Sequence, residues 1–239
     1  MADEHAITDP RFDQDRSDYE RPLSDDAFAD LFSEVAAATV DSQPGVLDRL
    51  QELPTSVRTG LGVGVGTSFG IIVLLLHGLR TDLQDVGAAM VAALVVMVGV
   101  SVSSIAVSLR GLHQRPLYRS VWLLSALSLL LPLVLAAVPG LWPGEAFGPV
   151  EPWLSGCFWF GCVVAVSTAL SVSLLQRSSE PALWRILTAA GAGGCAGFIV
   201  QHLFCPANNL WHLVGSHGFL GLVASVAVFV LLWMRRSQT

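Results

Sequence analysis

Hydrophobic positions gather into six long runs, residues 60–79, 86–109, 120–142, 153–175, 186–207 and 214–234, divided by short polar connections. Each run reaches the roughly 20 residues that a helix rising about 1.5 Å per residue needs to cross the hydrocarbon of a bilayer. No series of alternating ten-residue segments is present, which argues against a membrane barrel. The pattern predicts an all-α fold: a six-helix transmembrane bundle over residues 59–239, preceded by a partly disordered, partly helical arm over residues 1–58.

Within the arm, residues 1–22 mix Asp, Arg, Gln, Ser and Pro without apolar periodicity, so disorder is expected there. Structure is expected from Ser24, a good helix cap followed by Asp25 and Asp26 in the first turn. Phe28, Leu31, Phe32 and Val35 then recur at three- and four-residue spacing and define one apolar face. After a break at residues 41–45, Val46, Leu47, Leu50 and Leu53 form a second short apolar face leading through Pro54 into the first span. Such faces need cover, from each other, from the membrane surface or from a second protein. The arm holds 14 of the chain's 19 acidic residues against five Arg, so anionic lipids repel it. A soluble partner with a basic groove fits that charge better, since apolar anchors and electrostatic steering then act together.

Composition agrees with a membrane protein: 53% of the 239 residues are hydrophobic and only 13% are charged, too apolar a mix for one soluble core. The acidic start lacks an early apolar run, so no cleavable signal peptide is expected. Arg49, Arg58, Arg110, Arg115, Arg119, Arg177, Arg185, Arg235 and Arg236 fall on one side of the spans, whereas the other side holds Arg80 with Asp82, Asp85, Glu145 and Glu151. Arg-rich connections stay in the cytoplasm, which predicts an inner-membrane protein with both termini cytoplasmic. Trp142, Trp153, Trp184, Trp211 and Trp233 lie at run ends, where an indole sits at the membrane interface. No Asp, Glu or Arg is expected inside a span, which weighs against a transporter. No phosphate-binding loop, nucleophile elbow or zinc-protease motif occurs, so an enzyme is not expected.

Gly62, Gly66 and Gly70 in the first run, and Gly191, Gly193, Gly194 and Gly197 in the fifth, read as close helix packing, within the bundle or at a homo-oligomer seam. Pro132 and Pro139 predict a kink at the end of the third run. The chemistry-bearing residues gather at the ends of the last three runs. Cys157 opens the fourth, Cys205 closes the fifth one turn after His202, and His212 and His217 flank the start of the sixth. All five are expected near one level, on an exposed rim. Five-residue spacing points Cys157 and Cys162 to different sides, so the feasible disulfide joins Cys157 to Cys205. A soft metal ion is the other use for thiols and imidazoles together. Cys195 lies deeper and reads as packing. Haem carried by His77, His202 or His217 is a rival reading, as is a small transporter.

Cys157, the turn from Arg177 to Arg185, the run Gln201-His202-Leu203-Phe204-Cys205-Pro206, the stretch from Trp211-His212-Leu213 to Gly218, and Leu50-Gln51-Glu52-Leu53-Pro54 before the first span occur together in this order. This set resembles the NrsF-type and CarR-type membrane anti-sigma factors. The resemblance implies that the arm holds an extracytoplasmic-function sigma factor through Phe28, Leu31, Phe32, Val35, Leu47 and Leu50, without contacting nucleic acid itself. It implies release on an envelope signal, redox, metal or light-generated, sensed at Cys157 and Cys205, with Cys162 a rival for the first position. Where many relatives carry acidic residues after Cys-Pro, this chain reads Ala207-Asn208-Asn209.

Overall fold

The computed structural model describes Asp30 and residues 45–82, 87–110, 118–138, 141–142, 156–176, 183–206 and 209–236. It divides into two compact units, residues 1–45 and 46–239. The arm's first apolar face, Phe28, Leu31, Phe32 and Val35, lies outside the described residues, as do Trp153 and Pro139.

Among the described residues the second unit has helices and no strands, and six of the helices are long and apolar enough to cross a membrane. A short helix, α1 (Val46–Glu52), precedes α2 (Thr55–His77), α3 (Ala88–Ser108), α4 (Tyr118–Ala136), α5 (Gly156–Leu174) and α6 (Leu183–Phe204). The sixth crossing is composite: a single turn α7 (Leu210–His212), a π-helical turn (Leu213–Gly218), then α8 (Leu220–Arg236). All six predicted runs are helical, and α2 starts five residues before its predicted bound, at Thr55. Pro132 lies inside α4, four residues before its end.

Helix α6 is the hub, packed against α2, α3, α4, α5 and α8. Some 67% of its most apolar stretch lies inside the protein, against 22% for α2, which faces outward over most of its surface. Glycine explains how one helix touches so many neighbours. A methyl group on Gly193 would run into the carbonyl oxygen of Ala165 in α5, and one on Gly194 would stand 2.6 Å from the Cα of Gly221 in α8. Backbones meet directly here, the arrangement small residues permit inside lipid, where dispersion replaces the hydrophobic effect as the force between helices. The four-residue stripe of α2 is likewise spent inside the bundle: Gly62 faces Ile105 and Val172, Gly66 faces Thr168, and Gly70 faces Val200.

One end of the bundle is tied by cations, contrary to the expectation that no Arg enters a span. Arg58 sits in the first turn of α2 and is fully buried. Its Nη2 donates to Leu109 O at 2.9 Å, its Nη1 to Leu175 O at 2.8 Å and its Nε to Leu53 O at 3.0 Å. Leu109 and Leu175 follow the last residues of α3 and α5, where carbonyls have no intrahelical donor and the helix dipole is negative. A guanidinium fork satisfies both ends at once, and this offsets its desolvation. Arg185, in the first turn of α6, donates in the same way to Arg110 O at 2.9 Å.

The second apolar face of the arm is used in part, with Val46 left exposed. Leu50 packs on the cluster of Ile105, Leu109, Val172 and Leu175, and Gln51 Nε2 donates to Leu174 O at 2.8 Å. Leu47 is half-buried. Leu47 and Leu50 therefore belong to the bundle's compact unit, which begins at Val46.

Candidate metal or redox centre

At the opposite end the structure brings the five singled-out residues together in two layers. In the first, the Sγ atoms of Cys157 and Cys205 and a ring nitrogen of His212 all lie within 4.8 Å of one another. Cys205 Sγ stands 3.4 Å from His212 Nε2. Both cysteines are free thiols. Cys205 immediately follows the last residue of α6.

Behind this trio lies a histidine pair. His202 and His217 are fully buried with Nδ1 atoms 3.2 Å apart and ring centroids 4.5 Å apart. His202 Nδ1 also lies 3.0 Å from Phe198 O, one turn back in α6. A carbonyl oxygen only accepts, so in a neutral pair it selects His202 as the Nδ1–H donor. His217 then accepts at Nδ1 and carries its proton on Nε2. The rings are boxed by Phe198, stacked on His202 at 4.1 Å, and by Trp142 at 3.8 Å.

Local structure places these groups. Gln201 reaches from α6 to Cys157 O at 2.6 Å and to Ser216 O at 3.2 Å, joining α5, α6 and the π-helical turn. The π-helical turn buries Leu213, Gly215, Ser216, His217 and Gly218, and its wider winding presents His217 to His202 while α7 presents His212 to Cys205. A side chain on Gly161 would strike Gln201, so this glycine makes room for the amide. Arg80, after α2, caps this end: its backbone N–H donates to Leu203 O at 3.0 Å, and its guanidinium pairs with Asp82 at 2.5 Å. The Arg80 hydrogen bond holds the Asp82 carboxyl below its usual range.

Two expectations are corrected here. The centre is no exposed rim: Cys205, His202, His212 and His217 are buried, because the π-helical turn folds inward and Trp142 covers the histidines. Trp142 is accordingly no interfacial anchor; it is buried and donates Nε1–H to Leu135 O at 2.7 Å, whereas Trp211 and Trp233 are exposed. Cys162 points into the packing of Phe158, Ala165 and Leu220, so Cys157 is the cysteine that meets Cys205. Cys195 is buried, with its thiol 3.4 Å from Ser128 O.

Gln201, Trp142 and Phe198 were not among the site residues expected from sequence. A lone amide in an otherwise apolar helix was the available signal for Gln201.

A thiophilic divalent ion suits the trio chemically. Zn–S bonds of about 2.3 Å and Zn–N bonds of about 2.0–2.1 Å put donors around one ion less than about 4.6 Å apart, so only small side-chain adjustment is needed. Two thiolates balance a divalent charge, leaving a neutral assembly suited to burial. Haem finds no such fit. His202 and His217 touch, leaving no gap for a macrocycle, and His77 lies exposed beside Phe160, ring centroids 4.0 Å apart. No family model, characterised protein or solved structure matches the chain.

Proposed function

We propose that the protein is a multi-pass inner-membrane regulator, with both termini cytoplasmic, whose acidic arm holds an extracytoplasmic-function sigma factor and releases it when the Cys157–Cys205–His212 centre is oxidised or takes a metal ion. The observation that carries the reading is the gathering of two thiols and an imidazole within 4.8 Å at the end of the bundle away from the arm's entry. An input site and an output segment at opposite ends of one membrane bundle are what a transmembrane signal needs. The resemblance described above supplies the class of partner, and the arm's charge supports it: its carboxylates complement the basic surfaces with which a sigma factor binds promoter DNA, so occupancy by the arm excludes DNA. Phe28, Leu31, Phe32 and Val35 are the apolar anchors.

Full-length protein in detergent, immobilised and exposed to the soluble proteins of its host, is expected to capture a sigma factor at low and moderate salt. Phe28→Ala or Leu31→Ala is expected to abolish capture. Loss of capture on Cd²⁺ or oxidant addition, absent in Cys157→Ser and Cys205→Ser variants, is the expected signature of sensing. Capture of no sigma factor by the wild-type chain would refute the regulator reading.

A further inference from the structure

Helix α5 carries a sensor cysteine at one end and holds the base of the arm at the other. At its start, Cys157 O accepts from Gln201. At its finish, Leu174 O accepts from Gln51 of α1 and Leu175 O from Arg58 of α2. Arg58 also holds Leu53 O, just after α1, and Leu109 O at the end of α3. We propose that α5 is the transmitting rod of this protein: closing the Cys157–Cys205 pair displaces α5 against α3, and the Arg58 fork, which spans both helix ends, can no longer hold both, so α1 comes free.

Several features make α5 a rod rather than a hinge. It runs unbroken for 19 residues with no proline. Its contact with α6 is backbone on backbone, since a methyl group on Gly197 would stand 2.7 Å from Gly161 O and one on Gly193 would meet Ala165 O. Packed surfaces of this kind slide as units; they do not bend locally. The receiving end is a two-helix bridge, so a small relative movement between α3 and α5 is enough to break one of its hydrogen bonds. Arg58 does not stand apart from the packing of α1, for Leu50 packs against the cluster that contains Leu109 and Leu175, the two residues whose carbonyls Arg58 holds.

The inference rests on the reading of Cys157 and Cys205 as the input, and the test separates the two. Diamide, an azo oxidant, drives closure: both S–H bonds break, an S–S bond forms, and two electrons and two protons pass to the azo nitrogens. Full-length protein in nanodiscs is treated with diamide, thiol loss is counted by mass, and backbone hydrogen exchange is followed over residues 46–58. Closure is expected to speed exchange in Val46–Glu52 about tenfold, the scale of one lost charge-assisted hydrogen bond. Cys157→Ser is expected to show no such change under diamide, and Gln51→Ala to exchange fast before any oxidant is added. Thiol closure with unchanged exchange would overturn the rod while leaving the sensor standing. Failure of Cys157 and Cys205 to close would overturn both.

Discussion

The two ends of the bundle use polar groups in opposite ways. At the Arg-rich end, Arg58 and Arg185 donate to carbonyls beyond α3 and α5. At the thiol end, two fully buried histidines face each other and the Nε2 of each has no hydrogen-bond partner among the described residues. One end matches charge to helix dipole, which is an arrangement for holding. The other gathers thiols and imidazoles that hydrogen-bond among themselves, Cys205 with His212 and His202 with His217, and its backbone departs from α-helical winding at the π-helical turn, as helices often do at functional sites. The two arrangements lie at opposite ends of the bundle, and the glycine-tight contact of α5 and α6 connects them.

The sharpest way to break this contrast is to remove the cation. Arg58→Ala deletes donors to Leu109 O, Leu175 O and Leu53 O. It is expected to cost about 3 kcal/mol, the order of one to two charge-assisted hydrogen bonds with their acceptors left buried. Thermal unfolding in detergent measures this. Arg58→Lys is expected to recover only part, because an ammonium cannot reproduce the planar fork. A melting temperature equal to wild type in Arg58→Ala would deny the Arg-rich end its holding role.

Next in size is the contact between the ends. Gly193→Ala places a methyl against Ala165 O and is expected to cost about 2 kcal/mol through overpacking. Gly64→Ala on the outward face of α2, where nothing lies within 4 Å, is the matched control and is expected to be neutral or slightly stabilising through helix propensity. Equal effects at the two glycines would mean that α5 and α6 are less tightly joined than the fold requires.

At the thiol end the expected sign reverses. The double variant His202→Phe, His217→Phe keeps an aromatic ring between Phe198 and Trp142 while removing both members of the Nδ1 pair together with two buried Nε2 atoms that have no partner among the described residues. It is expected to raise stability by about 1 kcal/mol, since replacing an unsatisfied buried polar group by an apolar one of similar shape relieves its desolvation cost. A loss of 2 kcal/mol or more in the same melting assay would show that the imidazole pair is structural, and the contrast between the two ends would weaken.

How these features read from sequence follows the physics behind each. The spans were legible because crossing a bilayer imposes a length and an apolarity that composition cannot hide. The depth of Cys157, Cys205 and His212 was legible too, because rise per residue fixes level along a helix. Burial was not legible: whether Trp142 lies at the interface or folds over His202 is decided by loop path and neighbours, which periodicity does not encode. Arg58 was misplaced for a related reason. A charge beside a hydrophobic run marks a boundary, unless helix ends supply carbonyls to receive it, and those carbonyls come from residues 51 and 117 positions away. The π-helical turn is a packing decision at Gly215, Ser216 and His217 that no local propensity announces.

The smallest effect concerns Arg80 and Asp82, which form an ion pair at the thiol end. The Asp82 carboxyl is held below its usual range by the Arg80 hydrogen bond. A depressed carboxylate contributes stability that is present above its unfolded pKa and lost as pH falls through the folded one. The contribution is therefore expected at neutral pH and should disappear on acidification below about pH 4, the ordinary carboxylate value. Asp82 is partly open to solvent, so screening limits the pair to less than about 1 kcal/mol. Asp82→Asn should lower the melting temperature slightly at neutral pH and match wild type in acid. Because Arg80 also donates its backbone N–H to Leu203 O, next to the turn that bears Cys205, the same variant should loosen that turn and speed alkylation of Cys205 at neutral pH. If alkylation is unchanged while the melting shift is present, the pair stabilises its own loop only, and the geometry around Cys205 is set by Gln201 and the π-helical turn.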